Sequence, residues 1–167
     1  KPMIEQMTSC GDWAGKVLKT NPWLQQLILI GPQESDILQI YREKEGLVSG
    51  AELQEKLITF SEEEIQSVED ENKISGIKRN LPVYISIDKD ILDEEYSETN
   101  WSQGKMPLSV LERLLMPFLT SGNILGIDIC GECQQGIPLP QYLEAEKING
   151  ETNKELFDFL MHYCRNF

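Results

Sequence analysis

The chain has 167 residues, 40% of them hydrophobic and 8% aromatic, which suits a single globular domain with a sizeable core and argues against disorder. Its 28 acidic residues against 15 basic ones leave a net charge of -13, a field that repels phosphate backbones and anionic lipid head groups. Neither nucleic acid nor a membrane surface is an expected partner. No apolar run approaches the roughly 20 residues of a bilayer-spanning helix, and no basic-then-apolar leader precedes the first predicted helix, so a cytoplasmic location is expected.

The chain opens on Lys1 without an initiator methionine, and residues 1–11 have neither leader nor linker composition, so the sequence reads as cut from something larger. Asp12 is a good N-cap for a helix reaching about Thr20, where Asn21-Pro22 stops it. Leu27-Ile28-Leu29-Ile30 reads as a buried strand ended by Gly31-Pro32. Ser35 heads a helix through about Arg42, and Lys56 to Phe60 forms a short strand. Ser61 followed three positions later by Glu64 is a capping-box signature; the acidic helix after it weakens around Asp70 to Lys73.

Leu81 to Asp88 is the clearest strand, with Val83, Ile85 and Ile87 β-branched. A polar loop runs from Lys89 to Lys105. Pro107 opens a helix with Leu108, Leu111, Leu114 and Leu115 on one side, which Pro117 should kink or end. Ile124 to Ile129 is the next buried strand, and a closing helix is expected from Glu151 to about Tyr163. Apolar strands alternating with helices point to an α/β fold with a parallel sheet, and the whole chain to one domain.

Four cysteines, Cys10, Cys130, Cys133 and Cys164, are expected to be reduced, since a chain this long builds a core without disulfides. Cys130-Gly131-Glu132-Cys133 has the spacing of a redox or zinc motif, but a structural zinc normally takes a second close pair and only scattered candidates exist, so these thiols should be metal-free. The single histidine, His162, lies in the closing helix and reads as a surface or packing residue.

Ligands of open α/β sheets bind at the carboxyl ends of strands, which is where Asp88 and Asp90 stand. If the extended backbone lasts through Asp90, alternation puts both carboxylates on one side and Lys89 on the other. Such a pair repels itself without a cation and can share a hard divalent one. The bland alternative is that these are turn and helix-capping aspartates.

The segment Ser86-Ile87-Asp88-Lys89-Asp90-Ile91-Leu92-Asp93 resembles the Ser-x-Asp-x-Asp-x-x-Asp strand end of the ureohydrolases, the arginase and agmatinase family, with Glu94 where that family usually has Pro. The family's later loop, helix and Gly-x-Asp strand leading to a Glu are matched by Gly104-Lys105-Met106, the Pro107 helix, Gly126-Ile127-Asp128 and Glu132. Thr8-Ser9-Cys10-Gly11-Asp12 is similar to the family's substrate-touching Ser-Gly-Asn stretch.

The resemblance implies an arginase-like three-layer α/β sandwich with a parallel sheet, of which this chain is the C-terminal portion, the N-terminal part being missing. It also implies an enzyme holding two manganese ions, which activate water for attack on the C–N carbon of a small guanidino or amidino substrate. Asp88 would bridge both ions and Asp90 would bind one; Glu132, Asp12 and Asp128 would serve substrate binding or its support. The strands ending near Asp88 and Asp128 should be neighbours. Members of that family often form symmetric oligomers, so a homo-oligomer is compatible with the resemblance. The family's Asp-x-His-x-Asp motif has no counterpart here, so remaining ligands would lie upstream of Lys1 and the chain alone would be inactive. The family's substrate Glu stands three positions after the strand Asp, where this chain has Gly131, with Glu132 one later. Rival readings are a haloacid-dehalogenase-like phosphotransferase, which also ends a strand in Asp-x-Asp, and a non-catalytic binding module on the same fold.

Overall fold

The computed structural model describes residues 13–34, 37, 55–66, 76–101, 103–121, 123–133 and 136–164. The expected helix from Ser35 to Arg42 falls almost entirely outside them, as do the 70–73 stretch and Thr8 to Asp12. The chain gathers into two compact units, Lys1–Ile77 and Lys78–Phe167.

In the first unit, helix α1 (Trp13–Thr20) ends just before Asn21-Pro22, and β1 (Leu27–Ile30) pairs in parallel with β2 (Leu57–Phe60), Leu27 facing Leu57 and Ile30 facing Phe60. Leu18 and Leu57 are buried together, with Leu24, Leu27 and Leu29 packed against them. Removing this apolar surface from water is what holds so short a strand pair to its helix. The capping box at the start of α2 (Glu62–Gln66) is complete: the Ser61 amide donates to Glu64 Oε2 at 2.8 Å, and the Glu64 amide donates to Ser61 Oγ at 3.1 Å. Each side chain satisfies an amide that the helix start leaves without a backbone partner.

In the second unit, β3 (Val83–Asp88) lies parallel to β4 (Ile124–Cys130), placing Tyr84 opposite Gly126, Ser86 opposite Asp128 and Asp88 opposite Cys130. The expected neighbours are hydrogen-bonded partners. Alternation sends Ile85 and Ile87 into the core and leaves Tyr84, Ser86 and Asp88 on the exposed face. Helix α3 (Leu108–Leu119) buries Leu108, Leu111, Leu114, Leu115 and Leu119. Pro117 sits in its last turn, where it cannot donate to the carbonyl four residues back, and the helix runs only two residues further, to Leu119.

The closing helix differs from expectation. Helix α4 spans Leu139–Cys164, starting well before Glu151. Asn149, inside the added N-terminal half, is buried: its side-chain amide donates to the Glu98 carbonyl at 2.8 Å and its oxygen accepts from the Glu98 amide at 3.2 Å. Thr152 donates to the Tyr96 carbonyl. These polar contacts sit inside the apolar stripe of Ala145, Leu156 and Leu160, so tertiary packing overrides a weak local propensity. Among the described residues no helix is long and apolar enough to cross a membrane.

Candidate metal and hydrolase site

Strand β3 ends at Asp88, and the backbone does not stay extended. Lys89–Ile91 forms a 3-10 turn capped by Asp88, whose Oδ1 accepts from the Asp90 amide at 3.2 Å. Alternation therefore does not bring the two carboxylates together; an aspartate-capped turn does. Lys89 nevertheless points away from the exposed face, as expected, and is wholly buried.

The loop after the turn is tightly bonded. The Gly104 amide donates to Asp90 O at 2.7 Å, Met106 N to Ile91 O at 3.1 Å, and Asp93 N to Met106 O at 3.0 Å. A side chain at Gly104 would lie 2.2 Å from Ile91 O, so only glycine permits this closure. Ser97, fully buried, donates to Lys89 O at 2.7 Å and accepts from Gln103 Nε2 at 3.0 Å. Asp93 Oδ1 accepts from the Glu95 amide at 3.1 Å, which makes it a turn residue.

Asp90 is the unusual carboxylate. Its Oδ1 is buried with no hydrogen-bond partner. Burial raises its pKa, a hydrogen bond from Thr99 works against that, and the charge of Asp88 raises it further. Asp88 is exposed, and its charge acts on Asp90 across the turn that it caps. Among the described residues, no three His, Cys, Asp or Glu side chains stand together as a metal-holding group.

Asp128 lies across from Ser86 and accepts its hydroxyl hydrogen at 2.8 Å; it also accepts a hydrogen bond from Tyr84, which with its negative charge and slight burial raises the tyrosine pKa. Cys130, exposed at the end of β4, has its thiol pushed up to about 11 by burial, by the charges of Asp88, Asp128 and Asp90, and by a hydrogen bond to Asp88. All three carboxylates thus converge on one thiol. Sequence reasoning placed Cys130 in a CxxC motif; the signal for its position was the register, two residues past Asp128 on the same face. Cys130, Cys133 and Cys164 are free thiols, Cys133 buried while Cys130 is exposed.

Glu132 stands apart from Asp90's open oxygen in its partners. Its Oε1 accepts from Lys89 Nζ at 2.6 Å and from Asn153 Nδ2 at 2.9 Å. Burial raises its pKa, but Asn153 and the lysine outweigh it, so the carboxyl titrates below its ordinary range. Gly131, the residue before, has a φ of +89°, and a Cβ there would lie 2.8 Å from Lys89 N and 2.9 Å from Asp88 Oδ1. Asp12 lies outside the described residues. His162 is exposed, its ring edge-on to Tyr163 at 4.9 Å between centroids.

No family model matches the chain. An uncharacterized protein of Thermotoga maritima is 31% identical over 159 residues, a match covering 95% of this chain and 55% of that one. The chain thus spans about half the length of its curated relative. The crystal structure of Helicobacter pylori arginase superimposes with a TM-score of 0.55 at 17% identity, over 83% of this chain and 44% of the arginase. The likeness is one of fold. At this identity the arginase-like arrangement of parallel strands and helices is shared, and the chemistry has to be argued from the residues.

Proposed function

We propose that this chain is the C-terminal portion of an arginase-like three-layer α/β sandwich and carries part of a dinuclear manganese site that hydrolyses a C–N bond of a small guanidino or amidino compound. The observation that carries the reading is Asp90 Oδ1, a buried carboxylate oxygen without a partner, held beside Asp88 at the carboxyl end of a parallel strand. A carboxylate in that state is costly unless a cation meets it. Its oxygen donors suit Mn²⁺ or Mg²⁺.

Asp88 and Asp90 would hold the metal from this chain's side, the capped turn fixing their spacing before any cation arrives. Two such ions would supply a polarised substrate and a bound water acidified to near neutrality. Asp128, clamped by Ser86 and Tyr84, keeps the neighbouring strand end in register with Asp88. Trp101, 59% exposed, stands two residues past Thr99, whose side chain hydrogen-bonds Asp90, and would offer an apolar wall for a small substrate. The protein is expected to be cytoplasmic and to form homo-oligomers.

The experiment is calorimetric titration of Mn²⁺ into the full-length protein and its variants. Asp88→Ala should abolish tight binding and guanidino-compound hydrolysis, and Asp90→Ala should remove most of both. Wild-type manganese affinity in Asp88→Ala would reduce these aspartates to turn residues. A non-catalytic module is the second reading, favoured by the neutralisation of Glu132 by Lys89, which leaves that carboxylate without a free charge for a cationic substrate. Tight Mn²⁺ binding with no turnover of any guanidino or amidino compound would select it.

A further inference from the structure

Lys89 is fully buried between two exposed or half-exposed aspartates, and burying an ammonium costs several kcal/mol unless a partner compensates it. Two separate segments converge on this residue, and a third reaches it through Glu132. Its carbonyl accepts the Ser97 hydroxyl, from the loop behind Asp90. Its backbone nitrogen lies against Gly131, whose missing side chain lets the chain after β4 pass within contact of Asp88 Oδ1. Its ammonium pairs with Glu132 at 2.6 Å, and that same Glu132 oxygen takes a second hydrogen bond from Asn153 of α4. The turn that carries Asp88 and Asp90 is therefore tied from beneath to β4's exit and to the long helix, through one ammonium.

We propose that Lys89 is a positioning residue: its buried ion pair with Glu132 holds the Asp88–Asp90 turn in the spacing needed to share a cation. This rests on the metal reading above. An apolar residue at 89 would fill the same core position, but only a long cation can both reach Glu132 and draw the 131–132 segment over the turn. The ion pair bonds neither carboxylate; Lys89 stands between Asp88 and Asp90 in sequence, so the pair acts on both through the backbone of the turn. The loss of groups that orient metal ligands typically costs about 10–100-fold in metal affinity.

The test uses the full-length protein, Mn²⁺ alone as the probe, and the variants Lys89→Met, Glu132→Gln and their combination, with Asp88→Ala as the reference for a lost site. Lys89→Met should weaken Mn²⁺ by about tenfold or more. In the double variant the stranded carboxylate is gone, so the melting temperature should return to within about 3 °C of wild type while Mn²⁺ affinity stays low. A purely structural ion pair predicts the opposite coupling, with affinity recovering alongside stability, and that result, or Lys89→Met affinity within twofold of wild type, overturns the proposal. Should Lys89→Met not fold, Glu132→Gln, altered at a half-exposed side chain, carries the same comparison. If wild type binds no better than Asp88→Ala, the metal reading has failed by itself. The positioning claim is then decided by hydrogen exchange at the Asp90 amide, which should quicken about tenfold in the double variant and would be unchanged if Lys89 held nothing in place.

Discussion

Ser86 on β3 donates its hydroxyl to Asp128 on β4 at 2.8 Å, and Tyr84 hydrogen-bonds the same carboxylate. Asp128 is thus engaged by the neighbouring strand rather than left open like Asp90, which makes it a clamp across the strand pair. The tyrosine reports on the clamp. The hydrogen bond and the negative charge both raise the Tyr84 pKa, so Asp128→Asn should bring it back toward the ordinary range. An ultraviolet titration of the two proteins checks this. Superimposable tyrosine curves would mean that the Tyr84–Asp128 contact does not persist in solution.

Asp93 completes the Asp-x-Asp-x-x-Asp spacing but has a different job from Asp88 and Asp90. Its Oδ1 accepts the Glu95 amide at 3.1 Å, and its carbonyl accepts from Tyr96 and Ser97. Asp93→Ala should lower stability by about 1 kcal/mol through the lost turn bond and leave Mn²⁺ affinity within about twofold of wild type. Chemical denaturation and metal titration of the same preparation separate these effects. A large fall in affinity without a fall in stability would make Asp93 a ligand.

Cys130 should be a sluggish nucleophile despite its exposure. With its thiol pushed up to about 11 by burial and by the surrounding carboxylates, it stays protonated through the neutral range and alkylates slowly. Replacing Asp88 by Asn removes the largest charge contribution and the hydrogen bond, so the thiol pKa falls and alkylation near pH 9 quickens by several-fold. Mass spectrometry of the Cys130 peptide after timed alkylation gives the rates. Equal rates in both proteins would place the thiol away from Asp88.

Glu112 on α3 faces an acidic groove of about 480 Å³ lined by Glu151, Glu155 and Asp158 of α4, together with Lys154 and Phe159. Burial raises its pKa first, and the charge of Glu155 raises it further. A carboxyl whose folded pKa lies above its unfolded value binds a proton more readily when folded. Its contribution to stability is therefore lost as pH rises from the unfolded value of about 4.5 through the folded one, and does not return at neutrality. Glu112→Gln should raise the melting temperature at pH 7 and make no difference well below pH 4, where both forms are neutral. Thermal melts across that range check the sign.

Much of this was legible in the sequence, and the reasons are local. Val83, Ile85 and Ile87 alternate with small or polar residues, so the strand, its buried face and its exposed face could be read together. Ser61 and Glu64 carried their capping box at the expected spacing. What stayed hidden depended on partners distant in sequence. The closing helix was expected only from Glu151, because the partner of Asn149, the Glu98 backbone, lies some fifty positions away. The Asp88–Asp90 pairing was anticipated, but through alternation, whereas the backbone turns at Lys89. Alternation put Lys89 on the side away from the carboxylates, but its full burial and its meeting with Glu132 were not legible, since burial of a lysine runs against its ordinary preference. The arginase-like fold followed from the strand-end motif and agrees with the superposition.

Two glycines of the second unit should respond to alanine with opposite signs. Gly150 lies within helix α4 with nothing inside 4 Å of an added Cβ, so Gly150→Ala removes only backbone freedom of the unfolded chain and should stabilise by about 0.5–1 kcal/mol. Gly131 combines a φ of +89° with a Cβ position 2.8 Å from Lys89 N and 2.9 Å from Asp88 Oδ1. Both neighbours belong to the capped turn, one a backbone atom that cannot rotate aside and the other an oxygen already bonded to the Asp90 amide. Relief requires either the 131–132 segment or the turn to move, and either displacement separates Glu132 from Lys89. Gly131→Ala should therefore destabilise by about 2 kcal/mol or more and should also weaken Mn²⁺ binding in the full-length protein. Calorimetric melting and Mn²⁺ titration of the two alanine variants, compared in one buffer, test both signs. A Gly131→Ala protein as stable as wild type would show that the segment after β4 does not press on Asp88 and Lys89.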